Sequence, residues 1–176
     1  MNMTVVFANR QRTRKIHLRL LKQMVKALLA DLEIAKAELE INLVTTPAIT
    51  RLNEKFLRHA GSTDVITFDY TDNVAQASRL HQSTCSRAGC ATLHGEIFIC
   101  MDEAVLQAHR FRTSWQSEIV RYLVHGVLHL LGHDDSHAGE RRKMKREENR
   151  LLRELSRRFS LAQLARPAKL SKCKNR

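Results

Sequence analysis

The chain has 176 residues, a length that suits one compact domain, and its 43% hydrophobic and 27% charged residues exclude collagen-like, disulfide-scaffold and wholly disordered proteins. Its net charge of +12 is concentrated at one end, because residues 141–176 contain 14 basic and only 3 acidic side chains. Such a segment predicts a polyanionic partner, with nucleic acid favoured over an anionic membrane surface or a merely solvated helix face.

Strand and helix patterns alternate in the N-terminal part of the chain. Residues 4–7 form a short apolar run with β-branched members, and residues 38–43 alternate apolar and polar positions, so each predicts a strand. Between them, apolar residues recur at helical spacing over residues 16–29. A short helix is predicted over residues 47–56, and the β-branched residues within 62–69 predict another strand.

The C-terminal part of the chain begins with a polar stretch, residues 72–93, which predicts a long loop or flap. Residues 96–100 have strand character, and residues 102–111 predict a helix. The next helix, over residues 114–131, carries a broad apolar surface and should be buried. Residues 140–159 predict a final amphipathic helix with one strongly basic face.

Candidate capping residues mark the ends of several of these helices. Thr13 is the predicted N-cap of the first long helix, and Asp102 that of the helix over residues 102–111. Ser114 or Ser117 should cap the buried helix, which Gly132 is expected to end.

The order of elements predicts an α/β or α+β fold in which helices cover a mixed sheet of about four strands. We expect one domain over residues 1–166 and a basic, disordered tail over residues 167–176. No apolar run reaches the length of a membrane span and no secretory signal is evident, so we expect a cytoplasmic protein without a membrane partner. Four cysteines without CxxC spacing are expected to be reduced thiols: Cys85, Cys90, Cys100 and Cys173.

The most informative motif is HGVLHLLGHDDSH, at residues 125–137. His125 and His129 are four residues apart, so on a helix their imidazoles lie on one face and can address one point, as two zinc ligands must. Gly132 can adopt a positive φ, end the helix and turn the chain back. The candidates for a third ligand are His133, Asp134, Asp135 and His137.

The spacing of the motif indicates which candidate is the third ligand. In the metzincin helix and turn, a glycine follows the second histidine by three residues, and a further ligand follows that glycine by three residues. The same count in this chain indicates Asp135 as the third ligand. A carboxylate oxygen is an acceptable zinc donor, although it makes competition by Mg²⁺ or Mn²⁺ easier. A fourth position left to water would make the site catalytic. The alternatives are that His133 or His137 replaces Asp135, or that the two helical histidines are only satisfied core residues.

One residue of the zinc-peptidase pattern is missing. Those enzymes carry a glutamate directly after the first histidine as general base, and this chain has Gly126 at that position. Peptidase chemistry is therefore disfavoured. A metal can instead polarise a phosphoryl oxygen and orient an attacking water or ribose 2′-hydroxyl, so RNA suits such a site.

The segments TDVITFDY, GEIFIC and HGVLHLLGHDD together resemble the YbeY family of bacterial metal-dependent endoribonucleases, over about residues 38–148. The resemblance implies a single α/β domain with one zinc ion per chain at the end of a buried helix. It also implies a single-stranded RNA substrate, maturation of the 3′ end of 16S rRNA and a role in ribosome quality control, with no DNA specificity. His125 and His129 match the family's first two ligands, and Asp135 stands where many members have a third histidine.

The chain departs from this family pattern shortly before the TDV segment. Many members have an arginine directly after an aromatic residue there, associated with RNA binding or catalysis, whereas here Phe56 is followed by Leu57 and then Arg58. Arg58 is therefore a candidate RNA-binding residue, and the alternative is an ordinary surface arginine. We expect a zinc-dependent endoribonuclease. The main alternative is a non-catalytic RNA-binding ribosome assembly factor with a structural zinc, and a zinc peptidase is disfavoured.

Overall fold

A computed structural model of the chain describes residues 2–71 and 92–165. The predicted four-stranded mixed sheet is confirmed, with the order β1-β2-β4-β3. The strands β1, β2 and β4 are parallel to one another, and β3 runs antiparallel to β4. Their bounds are Asn2–Asn9 for β1, Lys36–Val44 for β2, Val65–Asp69 for β3 and Thr92–Cys100 for β4.

Five α-helices complete the α+β fold of the described residues: α1 (Leu18–Asp31), α2 (Thr46–Leu52), α3 (Met101–Phe111), α4 (Trp115–Leu130) and α5 (Ala138–Arg158). The short helix α2 continues as a π-helical turn over Asn53–Leu57, and a 3₁₀ turn over Leu161–Leu164 follows α5. Within the described ranges, none of the helices is long and apolar enough to cross a membrane.

The main core lies on one face of the sheet. Alternate residues of β2 face it and are buried, namely Ala37, Leu39, Ile41 and Leu43. Buried apolar residues of α1, α4 and α5 pack in the same cluster, as the alternation in the strand and the helical spacing in the helices require. The helix α4 is therefore covered on most of its surface, as predicted.

Two glycines set how closely α4 lies on the sheet. A Cβ atom at Gly126 in α4 would lie 2.9 Å from Cγ2 of Ile97 in β4. A Cβ atom at Gly95 in β4 would lie 2.6 Å from the carbonyl oxygen of Phe68 and 2.9 Å from a methyl group of Leu130. Neither position has room for a side chain, and this close contact fixes the position of the carboxyl-terminal end of α4.

Two of the predicted helix caps are wrong, and for one shared reason. The N-cap of α1 is His17, whose Nδ1 accepts a hydrogen bond from the backbone N–H of Leu20 (3.0 Å). Thr13 instead donates to the carboxylate of Asp102, which lies inside the first turn of α3 and also accepts from the backbone N–H of Thr46 (2.8 Å). Burial opposes ionisation of Asp102, but these hydrogen bonds outweigh it and lower the pKa of the carboxyl group.

The structure also bears on the predicted cap of α4, the predicted loop and tail, and the cysteines. Ser114 is confirmed as the N-cap of α4, where its side chain accepts from the N–H of Ser117 (3.1 Å). The predicted loop over residues 72–93 is wrong at its end, because β4 begins at Thr92, and its remainder lies outside the described residues. The predicted tail over 167–176 also lies outside them. Of the four cysteines, Cys100 is a buried free thiol and the other three lie outside the described residues.

Candidate metal centre

The two histidines of the motif meet at the carboxyl-terminal end of α4. Because they are four residues apart on one helix, His125 and His129 point the same way, and their Nε2 atoms are 3.0 Å apart. Their side chains are 23% and 26% exposed, so they lie at the rim of the apolar face rather than within the core. A ligand can therefore reach both nitrogens from solvent.

The turn after α4 has the hydrogen bonds of a Schellman motif. The N–H of His133 donates to the carbonyl of Leu128 (3.0 Å), and the N–H of Gly132 donates to that of His129 (2.9 Å). Gly132 has φ +83°, a conformation in which other residues are strained. This turn reverses the chain and brings Asp135 back toward the helix end, as the position of the glycine predicted.

Arg141, in the first turn of α5, holds the backbone of this returning segment. Its Nε donates to the carbonyl of Asp135 (2.9 Å), and its Nη2 donates to that of Ser136 (3.2 Å). The guanidinium group therefore fixes the main chain at the residue that carries the candidate third ligand.

The structure brings Asp135 together with the two histidines. Its Oδ2 lies 3.9 Å from Nε2 of His125 and 4.0 Å from Nε2 of His129. With the histidine nitrogens 3.0 Å apart, these separations define one point about 2.1 Å from all three atoms, which is the length of a zinc–nitrogen or zinc–oxygen bond. The side chains of His133, Asp134 and His137 do not belong to this group of potential ligands in the described chain.

Hydrogen bonds at the far side of each ring fit the histidines for metal binding. The Nδ1 of His129 lies 3.0 Å from the carbonyl of His133, which can only accept, so this nitrogen carries the proton. The Nδ1 of His125 donates in the same way to Oε2 of Glu148 (3.2 Å). Both Nε2 lone pairs then face one another, an arrangement that repels unless a cation lies between them. The donor set therefore fits a divalent metal ion.

Glu148 on α5 is a candidate functional residue that the sequence analysis did not identify. It is 3% exposed, and besides His125 its carboxylate accepts hydrogen bonds from Nη1 of Arg121 (2.6 Å) and Nζ of Lys145 (2.7 Å). Burial alone would raise the pKa of Glu148, but the hydrogen bonds from His125, Lys145 and Arg121 lower it to about 2. A carboxylate this acidic is a poor proton acceptor at neutral pH, so its role is to orient His125.

His129 is held in its neutral form. Burial lowers its pKa, and the neighbouring His125 lowers it further, which outweighs the opposite effect of Asp135. A neutral imidazole is the form that binds a metal ion, so the site does not need to lose a proton from this ring at neutral pH.

The structure explains why the glutamate of zinc peptidases is missing. Gly126 faces the sheet, where a Cβ atom would lie 2.9 Å from Ile97 and 3.3 Å from the methyl group of Thr67. A carboxylate at this position could reach neither the metal ligands nor solvent without displacing β3 or β4. The sequence showed only that the base was absent, and the packing shows that the fold excludes it.

Arg58 makes no hydrogen bond or ion pair with His125, His129 or Asp135 in the described part of the chain. It follows the π-helical turn after α2, has φ +57° and is exposed.

Substitution of Gly132 tests whether the turn positions Asp135. Gly132→Ala is expected to reduce zinc affinity and to destabilise the fold by about 1 kcal/mol, because alanine is strained at φ +83° although the space around it is open. Gly139→Ala is the matched control, since the space there is also open and the backbone is helical. Isothermal titration with zinc and thermal unfolding measure both effects. Equal zinc affinities in the two variants would contradict the role of the turn.

Comparisons with known proteins agree with the fold and the motif. A family profile described as "Endoribonuclease YbeY" matches residues 6–156. A relative with that name from Myxococcus xanthus is 37% identical over 136 residues, 77% of this chain and 42% of the relative. Another from Chlorobium phaeovibrioides is 34% identical over 103 residues, 58% of each chain. The matched region therefore spans about half the length of these curated relatives.

A solved structure shares the architecture. The solution structure of a Thermotoga maritima protein superposes with a TM-score of 0.56 and covers 97% of this chain and 99% of its own. Its sequence identity to this chain is 19%, so this likeness concerns the fold alone.

Proposed function

The chain belongs to the YbeY endoribonuclease family, and on that basis we propose that it cleaves single-stranded RNA by means of a zinc ion bound to His125, His129 and Asp135. The observation that carries this proposal is the convergence of two Nε2 atoms and one carboxylate oxygen at the end of α4. Three protein donors leave a position of a tetrahedral metal open for solvent or substrate, as catalytic sites require.

The residues of the site have separate tasks. When bound, the metal supplies Lewis-acid polarisation of a phosphoryl oxygen and lowers the pKa of a water or ribose hydroxyl. Glu148 and the carbonyl of His133 keep the two imidazoles in the tautomer that presents Nε2. Arg141 and Gly132 hold the main chain that carries Asp135.

The site lacks the features of a peptidase. Gly126 is packed against β4, so no glutamate can serve as base beside the first histidine. A metal held by His125, His129 and Asp135 would instead polarise a phosphoryl oxygen, a chemistry that suits a phosphodiester substrate.

We propose that the biological substrate is the 3′ region of 16S rRNA and that the protein acts on ribosomes, in rRNA maturation and quality control in the cytoplasm. The support is the family membership, together with the basic segment after Glu140, which suits a ribosomal RNA partner. The basic surface contacts phosphates, which carry no sequence information, so we propose that the choice of cleavage site depends on RNA structure and on other ribosomal contacts.

A cleavage assay tests the proposed activity. Purified protein is incubated with a labelled single strand and with the same strand in a duplex, after chelation and after zinc is restored. We expect endonucleolytic products from the single strand that disappear with chelator and return with zinc. Equal cleavage in chelator, or products that begin only at the RNA ends, would contradict the proposal.

A further inference from the structure

The outward face of α5 carries one continuous row of polar side chains, which we call the outer stripe: Arg142, Arg146, Asn149 and Arg153. Their spacings of four, three and four residues place them on a single helix face. All four are exposed. With a rise of 1.5 Å per residue, the stripe extends about 16 Å along the helix.

Ion pairing distinguishes the stripe from the other cations of α5. Most of those cations are bound to carboxylates, in the pairs Lys143–Glu140, Lys145–Glu148, Arg150–Glu147, Arg157–Glu154 and Arg158–Asp31. The three arginines of the stripe have no carboxylate partner within 4.0 Å in the described ranges. Their charges are therefore available to an external anion.

Two open grooves run beside the stripe. One has a volume of about 430 Å³ and is lined by Arg142 and Arg146, and the other has a volume of about 720 Å³ and is lined by Arg146, Arg153 and Arg121 of α4. Asn149 lines both grooves, so they meet in the middle of the stripe. Such a surface can hold an extended chain along the helix rather than a compact ligand in one cavity.

The stripe is connected to the candidate metal centre by direct contacts. Oδ1 of Asn149 accepts a hydrogen bond from Nη1 of Arg121 (3.3 Å), and the same nitrogen donates to Glu148 (2.6 Å). Glu148 in turn accepts from Nδ1 of His125 (3.2 Å). The stripe is therefore linked through Arg121 and Glu148 to Nδ1 of His125, the ring nitrogen on the far side from the candidate metal position.

We propose that Arg142, Arg146 and Arg153 bind the phosphates of the RNA segment that flanks the cleavage position. The inference rests on the proposed function and adds the surface that holds the substrate. Guanidinium groups form paired hydrogen bonds with phosphate oxygens and remain charged at every physiological pH. Because such contacts do not read bases, binding along the outer stripe is tolerant of sequence.

The helix α1 offers a matched control. Arg19, Lys22 and Lys26 are also exposed and are spaced by three and four residues, but α1 packs against β1, whereas α4 and the metal centre lie on β3 and β4. The two triple variants R142Q/R146Q/R153Q and R19Q/K22Q/K26Q therefore each remove three positive charges from the exposed face of one helix, so they match in charge lost and differ in the helix that loses it.

The experiment measures binding of the zinc-loaded, full-length protein to a labelled single-stranded RNA by fluorescence anisotropy over a series of salt concentrations. Each phosphate contact to a single strand contributes about 0.7 to the slope of log K against log salt, so the stripe variant should have a slope shallower by about 2. When salt rises from 50 to 200 mM, the fold-decrease in the affinity of the stripe variant should be about 15 times smaller than that of the wild type. The α1 variant should keep the wild-type slope.

Three outcomes overturn the proposal. They are an unchanged slope in the stripe variant, equal decreases in both variants, and a stripe variant that loses binding only to anionic lipid vesicles. In each case the wild type could still cleave RNA, so the proposed function would stand. If the wild type cleaves no RNA in zinc, the proposed function itself fails. Bound zinc per chain should be equal in all three proteins, which shows that the metal centre is intact.

Discussion

His129→Ala is expected to lower zinc-dependent RNA cleavage by about a thousandfold or more. The substitution removes one of the two converging Nε2 atoms and leaves His125 and Asp135 as an incomplete ligand set. The stabilisation that a catalytic metal gives to a transition state is several kcal/mol, and about 4 kcal/mol corresponds to a factor of 10³ in rate. Single-turnover cleavage and bound zinc per chain measure the loss.

His133→Ala is the matched control for this substitution. Only the backbone carbonyl of His133 contacts His129, and its exposed side chain lies outside the ligand group of the described residues. The variant should therefore keep both zinc and activity. The opposite pattern, with zinc lost from His133→Ala and retained in His129→Ala, would show that the ligand set is wrong.

The stability of His129→Ala distinguishes a catalytic metal from a structural one. The side chains of the candidate ligands His125, His129 and Asp135 are 23%, 26% and 45% exposed and lie at the edge of the core, so the fold should not depend on zinc. His129→Ala should unfold within about 1 kcal/mol of the metal-free wild type, since it loses one hydrogen bond to a carbonyl. A variant that fails to fold, together with wild type that unfolds in chelator, would favour the ribosome assembly factor with a structural zinc.

Glu148→Gln is expected to weaken zinc binding by about 10- to 100-fold and to destabilise the fold by about 3 kcal/mol. A glutamine has one acceptor oxygen and one donor nitrogen, so it cannot accept from His125 and from both Arg121 and Lys145 at once. If the amide nitrogen faces His125, the ring must move its proton to Nε2, the atom that binds the metal. Zinc titration and denaturant unfolding report the two effects.

Glu147→Gln is the matched control, because Glu147 pairs with Arg150 and has no contact with His125. It should leave zinc affinity unchanged.

In metal-free protein, the pKa of Glu148 lies at about 2, below its ordinary value of 4.5. The wild type should therefore lose stability as the pH falls from about 4.5 toward 2, whereas Glu148→Gln should lose less over this range. Parallel pH curves for the two proteins would contradict this account of the carboxylate.

The sequence predicted those parts of the site that depend on local spacing. The separation of His125 and His129 places both rings on one helix face whatever the surroundings. The position of Gly132 predicts a turn, and the count of residues after it indicates Asp135. The alternation in β2 likewise predicts a sheet with one buried face.

Contacts between distant elements were not predicted. Thr13 and Asp102 each resemble an N-cap in their own segment, and their mutual hydrogen bond joins residues 89 apart. Glu148 is 23 residues from His125, and no local pattern links them. One signal was available: Glu148 occupies an apolar position of α5, between Met144 and Leu151, and a carboxylate there needs buried partners.

The most direct test of the metal centre is a crystal structure of the zinc-loaded protein with anomalous scattering recorded at the zinc edge. We expect one zinc ion with Nε2 of His125, Nε2 of His129 and a carboxylate oxygen of Asp135 at about 2.0 to 2.2 Å, and solvent at the remaining position. Zinc bound at other residues, or a fourth protein side chain in the position expected for solvent, would contradict the account.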